Sequence, residues 1–212
     1  MSDVALVVIA KEPLPGRVKT RLSPPCTREQ AAALAEAALQ DTLAAIAAAP
    51  ARRRVLALDG RPGRWLPAGF EVVPQRGGGL GQRLAGALLD AGGPALVVGM
   101  DTPQLSSGLL RHAAARLMTP AVDAVLGPAL DGGYWAIGMR RPSQAAFEGV
   151  PMSTSRTGVE QRRRLEELGL RVAVLPPLRD VDTIDDAHAV ARACPEGAFA
   201  LELAALRSAH AA

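Results

Sequence analysis

A chain of 212 residues with 49% hydrophobic content has material for one large domain with a substantial core. Its formal charge is only +3 and aromatics make up 3% of it, so it lacks the stacking platforms of a sequence-tolerant nucleic-acid binder. Cys26 and Cys194 match no metal-ligand spacing, and the apolar run near the amino end is too short for a signal core or a membrane span. The expectations are a cytoplasmic protein, no nucleic-acid partner, no membrane, and small phosphorylated ligands that suit an arginine-rich chain.

Val4–Ile9 is an unbroken, β-branched-rich run that reads as a buried strand. It empties into residues 10–22, where Pro13, Pro15 and Gly16 forbid regular structure and Lys11, Arg17, Lys19 and Arg21 supply four cations. A solvated charged loop is the plain explanation. Its place directly after the first core strand argues instead for a grip on a di- or triphosphate. The spacing is not that of a Walker A loop.

Thr27 and Gln30 form a capping box opening a helix to about Ala48, ended by Pro50, with Leu34, Leu39, Leu43 and Ile46 as its apolar face. Arg54–Leu58 and Phe70–Pro74 read as strands, the first followed by an Asp-Gly turn. Next, Arg76, Gly77, Gly78, Gly79 and Gly81 precede and enter a helix that ends near Gly92. Two spaced glycines fall short of a dinucleotide fingerprint, yet they allow close backbone approach to an anion or a base edge. A mere helix-entry turn would look the same.

Ala95–Gly99 is another run suited to a central strand, and it stops at Asp101-Thr102-Pro103. Asp101 therefore sits just past the carboxyl end of a core strand, where open α/β sheets bind ligands. An ordinary loop cap is the alternative. Ser106 or Ser107 caps a helix to Leu117, and the lone His112 in it reads as surface or packing. After a strand over Asp123–Pro128, Asp131-Gly132-Gly133 turns sharply into a strand carrying Tyr134 and Trp135. Ser153, Thr154, Ser155 and Arg156 make a hydroxyl-rich loop ending in a capping box of Thr157 with Glu160. A helix to Leu168 and a strand over Leu170–Leu175 follow. Thr183 caps the next helix, whose first turn accounts for Asp185 and Asp186 but leaves Asp180 and Asp182 unexplained. From about Pro195 an Ala/Leu-rich helix serves packing or association, the latter giving a homodimer.

Strands alternating with helices predict a three-layer α/β/α fold with a mainly parallel, doubly wound sheet. The division expected is one domain over residues 1–194 and a helical tail over 195–212. Acids fall at element ends: Asp101, Asp131, and Asp180 or Asp182. Beside a cationic loop, that is how a hard divalent ion, Mg²⁺ or Mn²⁺, is held over a nucleotide polyphosphate.

Five motifs occur in order: Lys-x-Pro-x-Pro-Gly-x-Val-Lys-Thr-Arg-Leu from Lys11, Gln-Arg-Gly-Gly-x-Leu-Gly-x-Arg from Gln75, Gly-x-Asp-x-Pro-x-Leu from Gly99, Asp-Gly-Gly-Tyr from Asp131, and Asp-Val-Asp-Thr-x-x-Asp from Asp180. Together they resemble the GT-A-fold transferases described as radical-SAM/selenodomain-associated glycosyltransferases. More distantly they are similar to 2-phospholactate guanylyltransferase and the molybdenum-cofactor nucleotidyltransferases. The resemblance implies a nucleotide-diphospho-sugar-transferase type of fold, with Asp101 as the metal aspartate and Asp182 as the second metal-side acid, Asp180 its substitute. Lys11, Lys19 and Arg21 would face phosphates, and Gly77–Gly81 would lie near the base. The double acid of many glycosyltransferases is here Gly99-Met100-Asp101, with one acid.

The favoured function is metal-dependent nucleotidyl transfer from an NTP to a small phosphorylated or acidic acceptor, with pyrophosphate released. Asp101, Lys19 and Asp131 would be catalytic. Lys11, Arg17, Lys19, Arg21, Arg76 and the glycine turn would bind nucleotide, and Tyr134, Trp135, Ser153, Thr154 and Arg156 the acceptor. The alternative is glycosyl transfer from a nucleotide sugar with Asp131 as base; a non-catalytic nucleotide-binding domain is the remote one.

Overall fold

The computed structural model describes residues 2–210, without the side chains of 207–210. Its centre is a seven-stranded sheet in the order β3-β2-β1-β4-β6-β5-β7. The strands are β1 (Ala5–Lys11), β2 (Arg54–Asp59), β3 (Glu71–Pro74), β4 (Ala95–Val98), β5 (Ala124–Pro128), β6 (Tyr134–Met139) and β7 (Val172–Val174). The helices are α1 (Arg28–Ala48), α2 (Leu80–Ala91), α3 (Ser107–Met118), α4 (Thr157–Glu167), α5 (Ile184–Ala193) and α6 (Ala198–His210).

Strand pleating sorts the core into two faces. Val4, Leu6 and Val8 pack with Leu96 and Val98 under α1 and α3. Ala5 and Val7 pack with Val55, Ala95 and Val97 under α2 and α4. Buried on both faces, β4 is apolar throughout and β1 is apolar up to its last residue, Lys11, as the sequence requires of central strands. All pairings are parallel except those of β6, which runs antiparallel between β4 and β5. The physical cause is the short Asp131-Gly132-Gly133 connection: a parallel return needs a crossover of a dozen or more residues.

Two local expectations change. Leu34 does not share a face with Leu39, Leu43 and Ile46: the latter three meet the sheet, while Leu34 joins Leu22, Val181, Phe199 and Leu203 in an outer cluster. A helix sandwiched between a sheet and two further helices is apolar all round. That burial also accounts for α1 being long and apolar enough, by composition, to cross a membrane. Thr157 is not a helix cap but a buried first-turn residue, its hydroxyl donating to the Pro151 carbonyl at 2.8 Å and accepting from the Thr154 amide at 3.0 Å. Arg156 occupies the cap position instead.

The tail helix α6 lies against α1 and α5. Its first N–H groups are satisfied from outside: Asp41, on α1, accepts from the amides of Ala198 at 2.8 Å and Phe199 at 2.9 Å. A carboxylate at a helix N-terminus also meets the positive end of the helix dipole. Asp41→Ala is expected to cost about 1 kcal/mol, read as a melting temperature lower by roughly 2–4 °C. An unchanged melting temperature would mean that α6 contributes nothing through this contact.

Candidate active site

The parallel strands β1, β2 and β4 and the amino end of the reversed strand β6 converge on one edge of the sheet, where a cleft of about 820 Å³ opens. Asp101 enters it from the turn after β4. The backbone carbonyl of Asp101 accepts from the Val181 amide at 3.0 Å. That bond draws the residue 180–182 segment alongside, and so places Asp180 and Asp182 in the same cleft. A parallel bridge of Ala129 to Leu178 and the Leu130–Leu178 bond at 3.0 Å zip the segment to the end of β5. Asp131 follows at once, its Oδ1 accepting from the Gly133 amide at 2.8 Å. Four carboxylates from three stretches distant in sequence thereby border one cavity.

Lys19 is at the centre of this group. Its backbone is left-handed (φ 47°), and the short turn it opens buries Leu22 against Val181. The ammonium contacts Asp101 Oδ1 at 2.5 Å, donates to the Val181 carbonyl and lies 3.9 Å from Asp182 Oδ1. Its side chain is 7% exposed, against 40% for Asp101. Arg21 binds the other side of Asp182 at 2.9 Å, but that guanidinium is 76% exposed and the pair adds little stability. Lys11 and Arg17 border the cleft, and among the described residues neither is in an ion pair or a side-chain hydrogen bond.

Asp180 is the strained member. Its Oδ1 is buried with no hydrogen-bond partner. Burial first, then the charges of Asp101 and Asp131, push its pKa from 3.8 up to about 7, against the pull of Lys19. Such a group costs no stability below its unfolded pKa; the cost grows as pH rises towards 7 and is constant above it. Asp180→Asn is therefore expected to melt higher than the unsubstituted protein at pH 8 without added metal, and level with it near pH 4. Equal melting at both values would remove this account of Asp180.

The remaining walls distinguish among the residues singled out above. The edge is continued by Arg83 on α2, which donates to Asp59 at 3.0 Å and to Gln75 Oε1 at 3.3 Å. Gln75 is pinned in turn by the Ala10 and Ala57 carbonyls. Arg83 and Gln75 end the glycine motif on either side, but no role is expected of them from the sequence, and only the fold brings them together at the cleft. Of the glycine turn, Gly78 borders the cleft, whereas Gly77, Gly79 and Gly81 do not. The amides of Gly78 and Gly79 are taken by the Gln82 side chain at 2.8 and 3.4 Å, and Gly81 packs close to Met152 and Phe147. Arg76 points away, paired with Asp90. Arg156 is likewise outside, bound to Glu160 at 2.7 Å. Ser153 and Thr154 do line the cleft, as does Tyr134, whose hydroxyl donates to Gln161 at 3.2 Å. Trp135 touches it from the core: its indole is buried, its N–H donates to the Pro176 carbonyl at 3.0 Å, and Gly127 leaves the space that the ring fills.

Among the described residues no three His, Cys, Asp or Glu side chains form a ready metal cage. A hydrated Mg²⁺ or Mn²⁺ needs only one or two protein carboxylates. Asp101 and Asp182 flank a single cation position, now held by an ammonium, and the orphaned oxygen of Asp180 lies on the same cleft. These donors fit such an ion.

Comparison with known proteins agrees with the architecture. A protein of Desulfovibrio desulfuricans G20, provisionally assigned as a nucleotide-diphospho-sugar transferase, superposes with a TM-score of 0.86 at 28% identity, over 100% of this chain and 96% of that one. CMP:2-keto-3-deoxy-manno-octonic acid synthetase complexed with CTP shares the fold at TM-score 0.58 and 12% identity, over 89% and 97% of the two chains. Rv0371c of Mycobacterium tuberculosis in complex with manganese does so at TM-score 0.51 and 21% identity, over 89% and 97%. No curated protein matches the sequence. The fold is thus that of the nucleotide-diphospho-sugar transferases, and it is shared with a nucleotidyl transferase of Methanothermobacter thermautotroptrophicus. The profile of one bacterial family matches residues 31–154, more than half of the chain, which therefore belongs to the family described as "uncharacterized protein conserved in bacteria (DUF2064)".

Proposed function

We propose that this protein is a metal-dependent nucleotidyltransferase that joins the nucleotidyl group of an NTP to a small acceptor and releases pyrophosphate. The supporting observation is charge left unspent: among the described residues Lys11 and Arg17 are in no ion pair, and they line the same cleft as the carboxylates of Asp101, Asp131, Asp180 and Asp182. A polyphosphate carrying a divalent ion would satisfy both, its oxygens meeting the cations and the ion meeting the carboxylates. Each charge-assisted contact to phosphate contributes about 1.5–3 kcal/mol.

Asp101 and Asp182, with Asp180 beside them, would hold the divalent ion, which when bound supplies charge neutralisation on the phosphates. Lys11 and Arg17 orient the β- and γ-phosphates and stabilise the negative charge of the departing pyrophosphate. Arg83 and Gly78, which line the same cleft, border the nucleoside. Tyr134, Ser153 and Thr154 form a hydroxyl-bearing, otherwise uncharged wall for the acceptor. With Arg156 outside the cleft, that wall has no cation for a phosphorylated or acidic acceptor, so an acceptor hydroxyl is the group it suits. Asp131, across the turn from this wall, is placed to take the hydroxyl proton.

One observation favours a second reaction: the neighbour at TM-score 0.86 is assigned to sugar transfer. In that case a nucleotide sugar is the donor, Asp131 is again the base and a nucleoside diphosphate leaves. A donor screen separates the two. The four NTPs and a panel of nucleotide sugars are incubated with hydroxylated acceptors and Mg²⁺ or Mn²⁺, and release of pyrophosphate is read against that of nucleoside diphosphate. Pyrophosphate from an NTP is the expected result; nucleoside diphosphate from a nucleotide sugar would transfer the assignment to glycosyl transfer.

A further inference from the structure

Of the 24 Lys and Arg residues in the chain only two are lysine, Lys11 and Lys19. Both border the same cleft. Elsewhere the chain uses arginine, including for its bidentate pair with Asp123 and its bonds to backbone carbonyls at Arg52, Arg53 and Arg54. The choice has physical content. A guanidinium is a planar fork that locks onto a carboxylate, whereas an ammonium is a compact point charge with three rotatable donors on a flexible stem. Lys19 has three acceptors around it: Asp101 Oδ1, the Val181 carbonyl and, at 3.9 Å, Asp182 Oδ1.

That position is also where the carboxylates converge. A Mg²⁺ ion bound to Asp101 lies about 2.0–2.1 Å from its oxygen, and the ammonium now sits 2.5 Å from one oxygen of the same group. Two cations bound to that oxygen and flanked by Asp182 would lie within a few ångströms of each other, in a site where the lysine is almost fully buried. Their repulsion falls steeply with distance, so the arrangement is relieved when one of them leaves.

We propose that Lys19 is an exchangeable occupant of the cation site, holding Asp101 and Asp182 together in the metal-free protein and vacating Asp101 when a divalent ion binds. The stem that frees the ammonium roots in the basic loop, among Lys11, Arg17 and Arg21, so the released charge joins the phosphate-facing set. The exchange rests on the divalent-metal reading proposed above. Its consequence is order: the ion that neutralises the carboxylates also delivers a cation to the nucleotide. In its absence Lys19 keeps the acids from repelling one another.

The test needs neither nucleotide nor turnover. Lysine labelled with ¹⁵N at Nζ gives two side-chain ammonium signals in the full-length protein, assigned with Lys11→Arg. Without metal, Lys19 is expected to show the slowly exchanging signal of a buried ammonium. Saturation with Mg²⁺ should collapse it to the fast-exchanging behaviour of Lys11. In parallel, Mn²⁺ binding measured by calorimetry should tighten by about tenfold or more in Lys19→Met, since no competitor remains. Asp101→Asn should abolish both responses. A Lys19 signal unmoved at saturating Mg²⁺, Mn²⁺ affinity unchanged or weakened in Lys19→Met, or no divalent binding by either form would each overturn the exchange. A protein that exchanges Lys19 for Mg²⁺ but turns over no NTP would keep this inference and refute the nucleotidyltransferase assignment; NTP turnover with an immobile Lys19 would do the reverse.

Discussion

Asp101→Asn is expected to lower metal-dependent turnover by at least about a hundredfold, the scale seen when a group that stabilises transition-state charge is removed, while the protein still melts cooperatively. Asparagine keeps an oxygen near the Lys19 ammonium, which retains the Val181 carbonyl and the neighbouring Asp182 as well. Asp101 is 40% exposed and carries little packing. The loss therefore falls on charge rather than on fold. Two further substitutions make the result interpretable. Asp182→Asn should also reduce activity. Asp185→Asn, on an exposed residue of the first turn of α5, should leave activity unchanged and lower the melting temperature only slightly. Asp186→Asn should lower stability instead, because Asp186 closes the capping box with Thr183 and binds Arg179 at 2.8 Å. Full activity in Asp101→Asn would remove the acid cluster from the mechanism altogether.

The second large effect is structural and reaches the site through the backbone. Gly132 has φ +90°, and a Cβ there would lie 1.9 Å from the carbonyl oxygen of Ser155. Gly158 faces the same turn, with its own Cβ position 2.6 Å from the Gly133 oxygen and its amide bonded to the Gly132 carbonyl at 2.8 Å. Gly132→Ala must therefore both strain the backbone and drive the Asp131 turn away from the Ser153–Ser155 loop. The strain alone is on the order of 1–3 kcal/mol. Gly69→Ala isolates that part, since Gly69 has φ +88° and nothing within 4 Å of its Cβ position. Gly132→Ala is expected to destabilise by clearly more than Gly69→Ala and to cut turnover sharply, because Asp131 and the hydroxyl wall are pushed apart. Equal stability of the two variants would show that the turn yields without cost.

The sequence alone determined the order and kind of the elements, because these depend on local rules. Apolar runs of β1 and β4 end at Lys11 and near Asp101, and Thr27 and Thr183 cap α1 and α5 as their spacing requires. The Asp131-Gly132-Gly133 turn could be read as a sharp reversal, and with it the antiparallel strand that interrupts a parallel sheet. The acids were legible as residues without local employment: once Asp185 and Asp186 are assigned to a helix start, Asp180 and Asp182 are left over. What no local rule contains is the direction of a long side chain. Arg76 and Arg156 stand beside residues that line the cleft, yet Arg76 turns to Asp90 at the far end of α2 and Arg156 to Glu160 in the first turn of α4. Lys19 bends inward because Leu22 is buried against Val181, more than 150 positions away. Trp135 is claimed by the core because Gly127, on the adjacent strand, leaves its indole a space that no side chain fills. Backbone patterns repeat every few residues and are written locally. The orientation of a charged or aromatic side chain is set by whichever partner the fold brings near, and only the tertiary structure decides which that is.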